Sequence, residues 1–198
     1  MYYVNTVFAD TVEALMQQNR RTAGDFVYTV PSSEHYPFQW LWDSCFHSII
    51  LSHIDTKLAQ EELRSVISRP LLNGLLPHMI YWDTKYETLH WGREHEGDVL
   101  TEAWGTKGVS SITQPPILAS AIWHLHMRTH DKSFLEEVYP TVRRYYLSLL
   151  NERNFSNHGL LGIINPDESG EDNSPRFDNI QHERYPKSYT PSSTQLIT

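Results

Sequence analysis

The sequence has little cysteine, since Cys45 is the single one in 198 residues. One thiol excludes an internal disulfide framework of the kind that stabilises small secreted domains. The N-terminal segment MYYVNTVFAD lacks both the basic flank and the apolar run of a secretory signal peptide. No apolar run approaches the roughly eighteen residues that a membrane span needs. The sequence therefore predicts a cytoplasmic protein without a membrane span.

Positive charge is also scarce. Lys and Arg number 16 against 24 Asp and Glu, so the formal net charge is -8, which argues against nucleic acid or an anionic membrane as a partner. No Gly-rich phosphate loop, paired CxxC or HExxH motif occurs. Two histidine pairs lie close in sequence but lack the i, i+4 spacing and acidic third ligand of a helical metal site: His90 with His95, and His124 with His126. We expect no metal and no other cofactor.

Length and composition are those of one globular domain, and helical periodicity dominates it. A second helix is predicted with Asp43 or Ser44 as its N-cap, and a third after Asp55. A first helix is predicted over about residues 6–20, because apolar side chains recur there at helical spacing: Phe8, Val12, Leu15 and Met16.

Two further helices are predicted in the second half of the chain. One starts at Thr113 with prolines in its first turn, and the next starts after Asp131 and is expected to break or kink at Pro140. Strand-like alternation is confined to DFVYTVP and GLLGIIN. The predicted fold class is therefore all-α.

Three long connections separate the predicted helices: residues 21–42, 68–112 and 154–178. Connections of this length are usually functional or disordered. Their content of Trp, Tyr and His argues against disorder, so we expect them to form the rim of a site. Aromatic faces there would suit sugar rings or stacked bases, although most aromatic side chains in any protein simply fill core.

The most unusual segment is DESGEDNSPRFD, which places five carboxylates in twelve residues. It is too polar for core, and by itself it fits a solvated acidic turn, a metal site or the rim of an active site. Gly170 is expected to permit a tight turn, and Glu168 is expected to pair with Arg176 and so orient the segment.

Two other segments join aromatic and polar side chains at predicted helix starts. YPFQWLWDS places Asp43 beside two tryptophans, where it either caps the helix or projects into a pocket. SSITQPPILAS delivers Gln114 to the next helix start. Aromatic walls with carboxylate and amide groups would suit the apolar face and the hydroxyls of a sugar.

Four segments in order, QWLWDSCFHSIIL, NGLLPHMIYW, ITQPPILASAIW and DESGEDNSPRFD, resemble glycoside hydrolase family 63, and most closely its bacterial members that hydrolyse mannosylglycerate or glucosylglycerate. The resemblance covers roughly residues 36–178, and the tail 186–198 departs from the pattern. It implies an incomplete (α/α)6 toroid, with residues 1–198 as the N-terminal part of a single catalytic domain. Trehalases of family 37 share the ESGxD element.

The resemblance implies an inverting α-glycosidase in which Asp172 is the general acid and Asn173 helps to position it. Like charges and partial desolvation would both raise the pKa of such an acid. The general base of these enzymes is a distant downstream Glu, expected beyond residue 198. By the same resemblance five residues look like walls and hydroxyl ligands of the sugar subsite: Tyr36, Trp40, Trp42, Asp43 and Gln114.

Three functional interpretations follow. The first is a glycosidase part acting on a small α-glycoside, the second a trehalase-like or oligosaccharide glucosidase, and the third a non-catalytic sugar-binding domain. Trp82 and Tyr86 lie in the second connection, where a lid or an aglycone site is expected. The chain alone is expected to be inactive, to expose apolar surface and to tend towards a homo-oligomer.

Overall fold

The computed structural model describes residues 6–83, 106–155, 159–171 and 174–177. It has five helices in this part of the chain: α1 (Thr6–Asn19), α2 (Leu41–Leu51), α3 (Thr56–Ile67), α4 (Leu118–Thr129) and α5 (Lys132–Glu152). Four short strands accompany them: β1 (Arg20–Ala23), β2 (Phe26–Thr29), β3 (Gln39–Trp40) and β4 (Met79–Ile80). Two 3-10 turns, Pro166–Ser169 and Pro175–Phe177, lie in the acidic segment.

The helix starts that rest on local capping are confirmed. The Asp55 carboxylate accepts hydrogen bonds from the backbone N–H groups of Lys57 and Leu58, and Asp131 accepts one from Phe134. Both caps satisfy amides that an isolated helix end leaves free. Helix α1 also lies within the predicted range, although Phe8 on its predicted apolar face is 65% exposed.

Two predicted helix starts are wrong. Helix α2 begins at Leu41 rather than after Asp43 or Ser44, and its N-cap residue Trp40 makes no side-chain cap. Helix α4 begins at Leu118, so the predicted start at Thr113 is several residues early. Pro115 and Pro116 precede α4 in an irregular segment, because two consecutive prolines restrict the residues before them to extended backbone.

The predicted break at Pro140 is also wrong, since α5 runs through it as one 21-residue helix. Proline removes the bond that its N–H would donate to the carbonyl of Glu136. Both residues are on the exposed side of α5, where water can bond that carbonyl instead. The loss is thus tolerated at this position.

Helices α2 and α4 run parallel to each other. At their N-terminal ends, the backbone N–H of Trp42 donates a hydrogen bond to the side chain of Gln114, which lies just before α4. At their C-terminal ends, Arg128 Nε donates to the carbonyl oxygen of Ser52 at 2.9 Å. Helices α3 and α5 pack around them through a shared core that includes Leu41, Cys45, Leu63, Val66, Leu118, Leu125, Phe134 and Tyr145.

Apolar side chains on α2 and α4 also face solvent, as expected for part of a barrel: Phe46, Trp123 and Met127 are 44%, 60% and 53% exposed. Among the described helices, none has the length and apolar character needed to cross a membrane.

The strands build two small antiparallel ribbons. β1 and β2 form a hairpin that turns at Gly24, where φ is 59°, so the strand predicted in DFVYTVP is confirmed. β3 pairs with β4 and brings the segment before α2 against residues 78–80. The second predicted strand is wrong, because the segment GLLGIIN is not part of any of the four strands.

Candidate active site

The segment that leads into α2 carries three of the predicted site residues. Trp40 is 9% exposed and packs edge-on against His78, with ring centroids 5.0 Å apart. Tyr36 lies at the outer side of Trp40, with centroids 6.2 Å apart, and is 51% exposed. Trp42 follows on the first turn of α2 and is half-buried. The segment therefore presents aromatic side chains from the protein interior out to its surface.

Gln114 is buried and its side chain supplies the cap that α2 lacks locally. Its Oε1 accepts a hydrogen bond from the backbone N–H of Trp42 at 3.1 Å. This bond satisfies one of the free amides at the start of α2 from a residue 72 positions away in sequence. The structure thus brings Gln114 and Trp42 together, as the predicted subsite requires.

Asp43 lies in the first turn of α2 and is half-buried. Its predicted role as the N-cap is wrong, because Trp40 occupies that position. A carboxylate in the first turn is nevertheless favoured by the partial positive charge of the helix N-terminus. Its charge also contributes, after burial and Glu62, to the raised pKa of the Cys45 thiol. The position of Asp43 is compatible with its other predicted role, that of a hydroxyl ligand.

The acidic segment folds against the same tryptophan. Asn165 caps the turn Pro166–Ser169, and Gly170 follows in the left-handed region with φ 73°, so the predicted tight turn is confirmed. A Cβ on Gly170 would lie 2.8 Å and 2.9 Å from Cζ3 and Cζ2 of Trp42, and closer still to its Cη2. Only glycine allows the loop to approach the indole this closely.

Glu168 fixes the acidic segment through four hydrogen bonds. Its carboxylate receives both Nη2 and Nε of Arg153, at 2.7 and 3.1 Å, and these side chains are only 1% and 5% exposed. It also accepts the backbone N–H groups of Thr113 at 3.2 Å and Ile164 at 2.9 Å. The segment is thereby tied to the end of α5 and to the residue before Gln114.

The predicted pair between Glu168 and Arg176 is therefore wrong. Arg176 instead pairs with Glu171 at 3.2 Å, and both side chains are more than half exposed. The buried guanidinium of Arg153 comes from the C-terminal end of α5, where no sequence pattern connects it to the acidic segment. Sequence proximity pointed to the wrong arginine.

Asp172 and Asn173, the predicted acid and its positioning residue, lie outside the described residues, as does Tyr86. The residues on either side of this pair are described, and Ser174 donates a backbone hydrogen bond to the carbonyl of Glu171 at 2.9 Å. The roles of Asp172 and Asn173 stay predictions.

A buried polar network, which no sequence pattern indicated, lies next to the segment that leads into α2. The Gln39 amide donates to the hydroxyls of Ser44 at 3.1 Å and Ser65 at 2.7 Å, and its oxygen accepts from Trp82 Nε1 at 2.9 Å. The Ser44 hydroxyl in turn donates to the buried Glu62 carboxylate at 2.5 Å. These hydrogen bonds fix the orientation of the Gln39 side chain, and they thereby orient the strand that leads into α2.

Trp82 is held on several sides. Arg69 lies over its ring at 4.2 Å from the centroid, and Phe26 and Tyr28 pack against it at 5.1 and 5.6 Å. These contacts, with the bond to Gln39, make Trp82 a fixed structural anchor at the point where the described part of the second connection ends.

His78 is an internal histidine. It is completely buried, and its Nδ1 lies 2.6 Å from the Ser110 hydroxyl. Burial lowers its pKa to about 3, so the ring is neutral at physiological pH. The neutral ring packs edge-on against Trp40 and so supports the tryptophan from the interior.

Comparison with known proteins identifies related sequences and structures. The chain matches the model of the family described as mannosylglycerate hydrolase MGH1-like glycoside hydrolase domain over residues 36–195. It is 32% identical to a mannosylglycerate hydrolase of Thermus thermophilus over 173 residues, which are 83% of this chain and 39% of that protein. A glucosylglycerate hydrolase of Mycolicibacterium hassiacum is 30% identical over 156 residues, 72% of this chain and 34% of that protein.

A solved structure has the same fold. A family 63 mannosylglycerate hydrolase of Thermus thermophilus, in complex with Tris and D-glycerate, matches with a TM-score of 0.73 at 28% identity, over 92% of this chain and 43% of that one. The predicted all-α class is confirmed, and the described helices form part of such an (α/α) barrel. The chain spans about two fifths of the length of these relatives.

Proposed function

Because the chain belongs to the family of MGH1-like glycoside hydrolase domains, we propose that it forms the sugar-binding, acid-bearing part of an inverting glycosidase site for a small α-glycoside. Mannosylglycerate and glucosylglycerate are the substrates to test first, since the relatives named above act on them. One observation carries the proposal: the Trp42 indole lies directly over Gly170 of the acidic segment, with Gln114 bound to the Trp42 backbone. Three segments distant in sequence thus converge at one helix start.

The sugar would lie against the start of α2. Indole faces accept the apolar C–H surface of a pyranose, and a carboxylate in the first turn can accept hydrogen bonds from its hydroxyls. Trp42 and Asp43 supply these two groups from the first turn of α2, and the exposed Tyr36 adds a further aromatic side chain. Gln114 holds the start of α2 through its Oε1, and its NH₂ group is the part that could donate to a sugar hydroxyl.

The acid would be Asp172, which directly follows Glu171 in the segment that packs on Trp42. Inversion requires a protonated carboxyl at the glycosidic oxygen and a second carboxylate about 6.5 to 9.5 Å away that activates water on the opposite face. Glu168 is unsuited to the second role, because it is buried and all four of its hydrogen bonds are to protein donors. Glu171 is paired with Arg176 at the surface.

We therefore propose that the base is not part of this segment, and that residues 1–198 alone bind sugar without hydrolysing it. The test is calorimetric titration of the purified chain with mannosylglycerate and glucosylglycerate, followed by an assay for released sugar. Binding that is weaker by about tenfold or more in Asp43→Ala, without release of sugar, is the expected result. Release of sugar by the wild-type monomer would refute a separate base, and the absence of binding to either conjugate would refute the assignment of the pocket.

The same titration with trehalose addresses the trehalase-like alternative. We expect weaker binding than to the glycerate conjugates. Tighter binding of trehalose would favour that alternative. A completed barrel that contains residues 1–198 and binds the conjugates but never releases sugar would favour a non-catalytic sugar-binding domain.

A further inference from the structure

Two histidines that are far apart in sequence meet at the end of the helix pair remote from the pocket. His53 follows the last turn of α2 and His124 lies on α4, 71 positions away in sequence. Their Nε2 atoms are 3.4 Å apart, with ring centroids at 5.5 Å and an interplanar angle of 41°. The two Nε2 atoms therefore lie next to each other, on residues from two parallel helices.

The separation of the two nitrogens is long for a direct hydrogen bond, which has donor–acceptor distances of about 2.7 to 3.2 Å. It matches another geometry better. In a tetrahedral Zn²⁺ site with Zn–N bonds of about 2.0 to 2.1 Å, two ligand nitrogens are about 3.3 to 3.4 Å apart. An ion bound by both Nε2 atoms, and lying to one side of the line between them, would thus keep the two nitrogens at their observed separation.

We propose that His53 and His124 form a two-histidine site for a borderline transition-metal cation, with Zn²⁺ as the representative ion, that links the ends of α2 and α4. Imidazole nitrogen is a preferred ligand for such ions, whereas Mg²⁺ and Ca²⁺ prefer oxygen. In the described part of the chain, no group of three His, Cys, Asp or Glu side chains could hold a metal. The remaining coordination positions would accordingly go to water.

The electrostatic surroundings decide how strongly the site binds. Metals bind the neutral form of imidazole, so binding to His53 and His124 is expected to be strongest at neutral pH and above. The Arg128 guanidinium opposes a divalent cation, although it is engaged by the Ser52 carbonyl. With two protein ligands and a nearby positive charge, the site is expected to bind reversibly rather than to hold a permanent structural metal.

The site is independent of the proposed sugar pocket. Trp42 and His53 are eleven residues apart along α2, which corresponds to roughly 16 Å of helix. Neither histidine contributes to the contacts of Gln114, Gly170 or Glu168 described above. Metal binding can therefore be tested whether or not the pocket binds a sugar.

The experiment is titration of the untagged 198-residue chain with Zn²⁺ alone, by calorimetry at neutral pH. We expect one saturable ion per chain, and a loss of affinity of about tenfold or more in both His53→Gln and His124→Gln. The matched control is His35→Gln, because His35 is also exposed but lies before α2, and its affinity should equal that of the wild type. Thermal unfolding without metal verifies that each variant is folded.

A second measurement needs no variant. Imidazole C–H resonances of the wild-type chain, followed by NMR during the titration, should shift for two histidines first. At a Zn²⁺ concentration about one hundred times Kd, the midpoint of thermal unfolding should rise by about 5 to 10 °C. No saturable binding, equal binding by wild type and both variants, or first shifts in other histidines would overturn the proposal.

Discussion

The buried pair of Glu168 and Arg153 makes the sharpest prediction about the candidate site. Glu168→Gln preserves the size of the side chain, but four N–H donors point at its two oxygens. Each oxygen accepts one backbone N–H and one Arg153 N–H. Whichever oxygen becomes an NH₂ group, two donors therefore lose their acceptor, and the guanidinium stays buried without a counter-charge.

The expected cost is large because the pair is almost completely buried. Removing one partner of a buried ion pair destabilises a protein by about 3 to 5 kcal/mol, chiefly through the uncompensated charge that remains. For a chain of this length, that corresponds to a fall of roughly 6 to 20 °C in the midpoint of thermal unfolding. Arg153→Met should cost a similar amount. The double variant Glu168→Leu, Arg153→Met should recover only part of it: no buried charge is left, but the backbone N–H groups of Thr113 and Ile164 still lack an acceptor.

The acidic segment offers a matched control. Glu171→Gln removes the same charge from the exposed pair with Arg176 and should change the free energy of unfolding by less than about 1 kcal/mol. Thermal and urea unfolding of the variants measure these differences. A cost for Glu168→Gln that equals the cost for Glu171→Gln would show that the buried pair does not hold the segment, and would refute the reasoning.

Three further predictions concern the pocket and its support. Asp43→Ala should weaken binding of the glycerate conjugates by about 1.5 to 3 kcal/mol in calorimetry, because a charged acceptor is lost, and should leave thermal stability almost unchanged. Gly170→Ala should destabilise the chain more than Gly159→Ala: both glycines have φ 73°, but only at Gly170 would the new Cβ collide, with Trp42; equal unfolding midpoints would contradict this. His78 has a folded-state pKa of about 3 against an ordinary 6.5, so its contribution to stability is complete above pH 6.5 and declines by up to about 1.4 kcal/mol per pH unit as the pH falls towards 3. His78→Gln should flatten that part of the stability profile in urea unfolding.

Features that depend on neighbouring residues could be predicted from the sequence. Asp55 and Asp131 cap α3 and α5 because a carboxylate reaches backbone amides two or three residues ahead. Gly170 adopts the left-handed turn that its place among polar residues indicated. The fold class followed in the same way, because helical periodicity is a local signal.

Features that depend on residues distant in sequence could not be predicted from the sequence. Asp43 looked like a cap, but the cap of α2 comes from Gln114, 72 positions away from Trp42. Glu168 has a nearby arginine in sequence, yet the buried guanidinium of Arg153 is the one that reaches it. His124 was considered with His126, whereas its spatial partner is His53. In the last two cases the competing side chains are of the same residue type, and only the packing of the chain selects between them.

The occurrence of all four family-like segments in one order is stronger evidence for a sugar pocket than the composition of any one of them. None of them alone distinguishes a sugar pocket from a solvated loop with aromatic neighbours. Their convergence on Trp42 explains why they occur together: the first segment supplies the indole, the third supplies Gln114, and the fourth supplies Gly170. The second segment supplies β4 and His78, which support Trp40 from behind.

The most direct test of the central claim is hydrolysis by a chimera in which residues 36–195 replace the matching segment of the Thermus thermophilus hydrolase. We expect a folded chimera to release the sugar of mannosylglycerate or glucosylglycerate with inversion at the anomeric carbon, as seen by NMR of the first product. Asp172→Asn should lower kcat on that substrate by about a hundredfold or more, and much less on an activated aryl glycoside, which needs little protonation. A folded chimera that releases no sugar, or an equal loss on both substrates, would contradict the account.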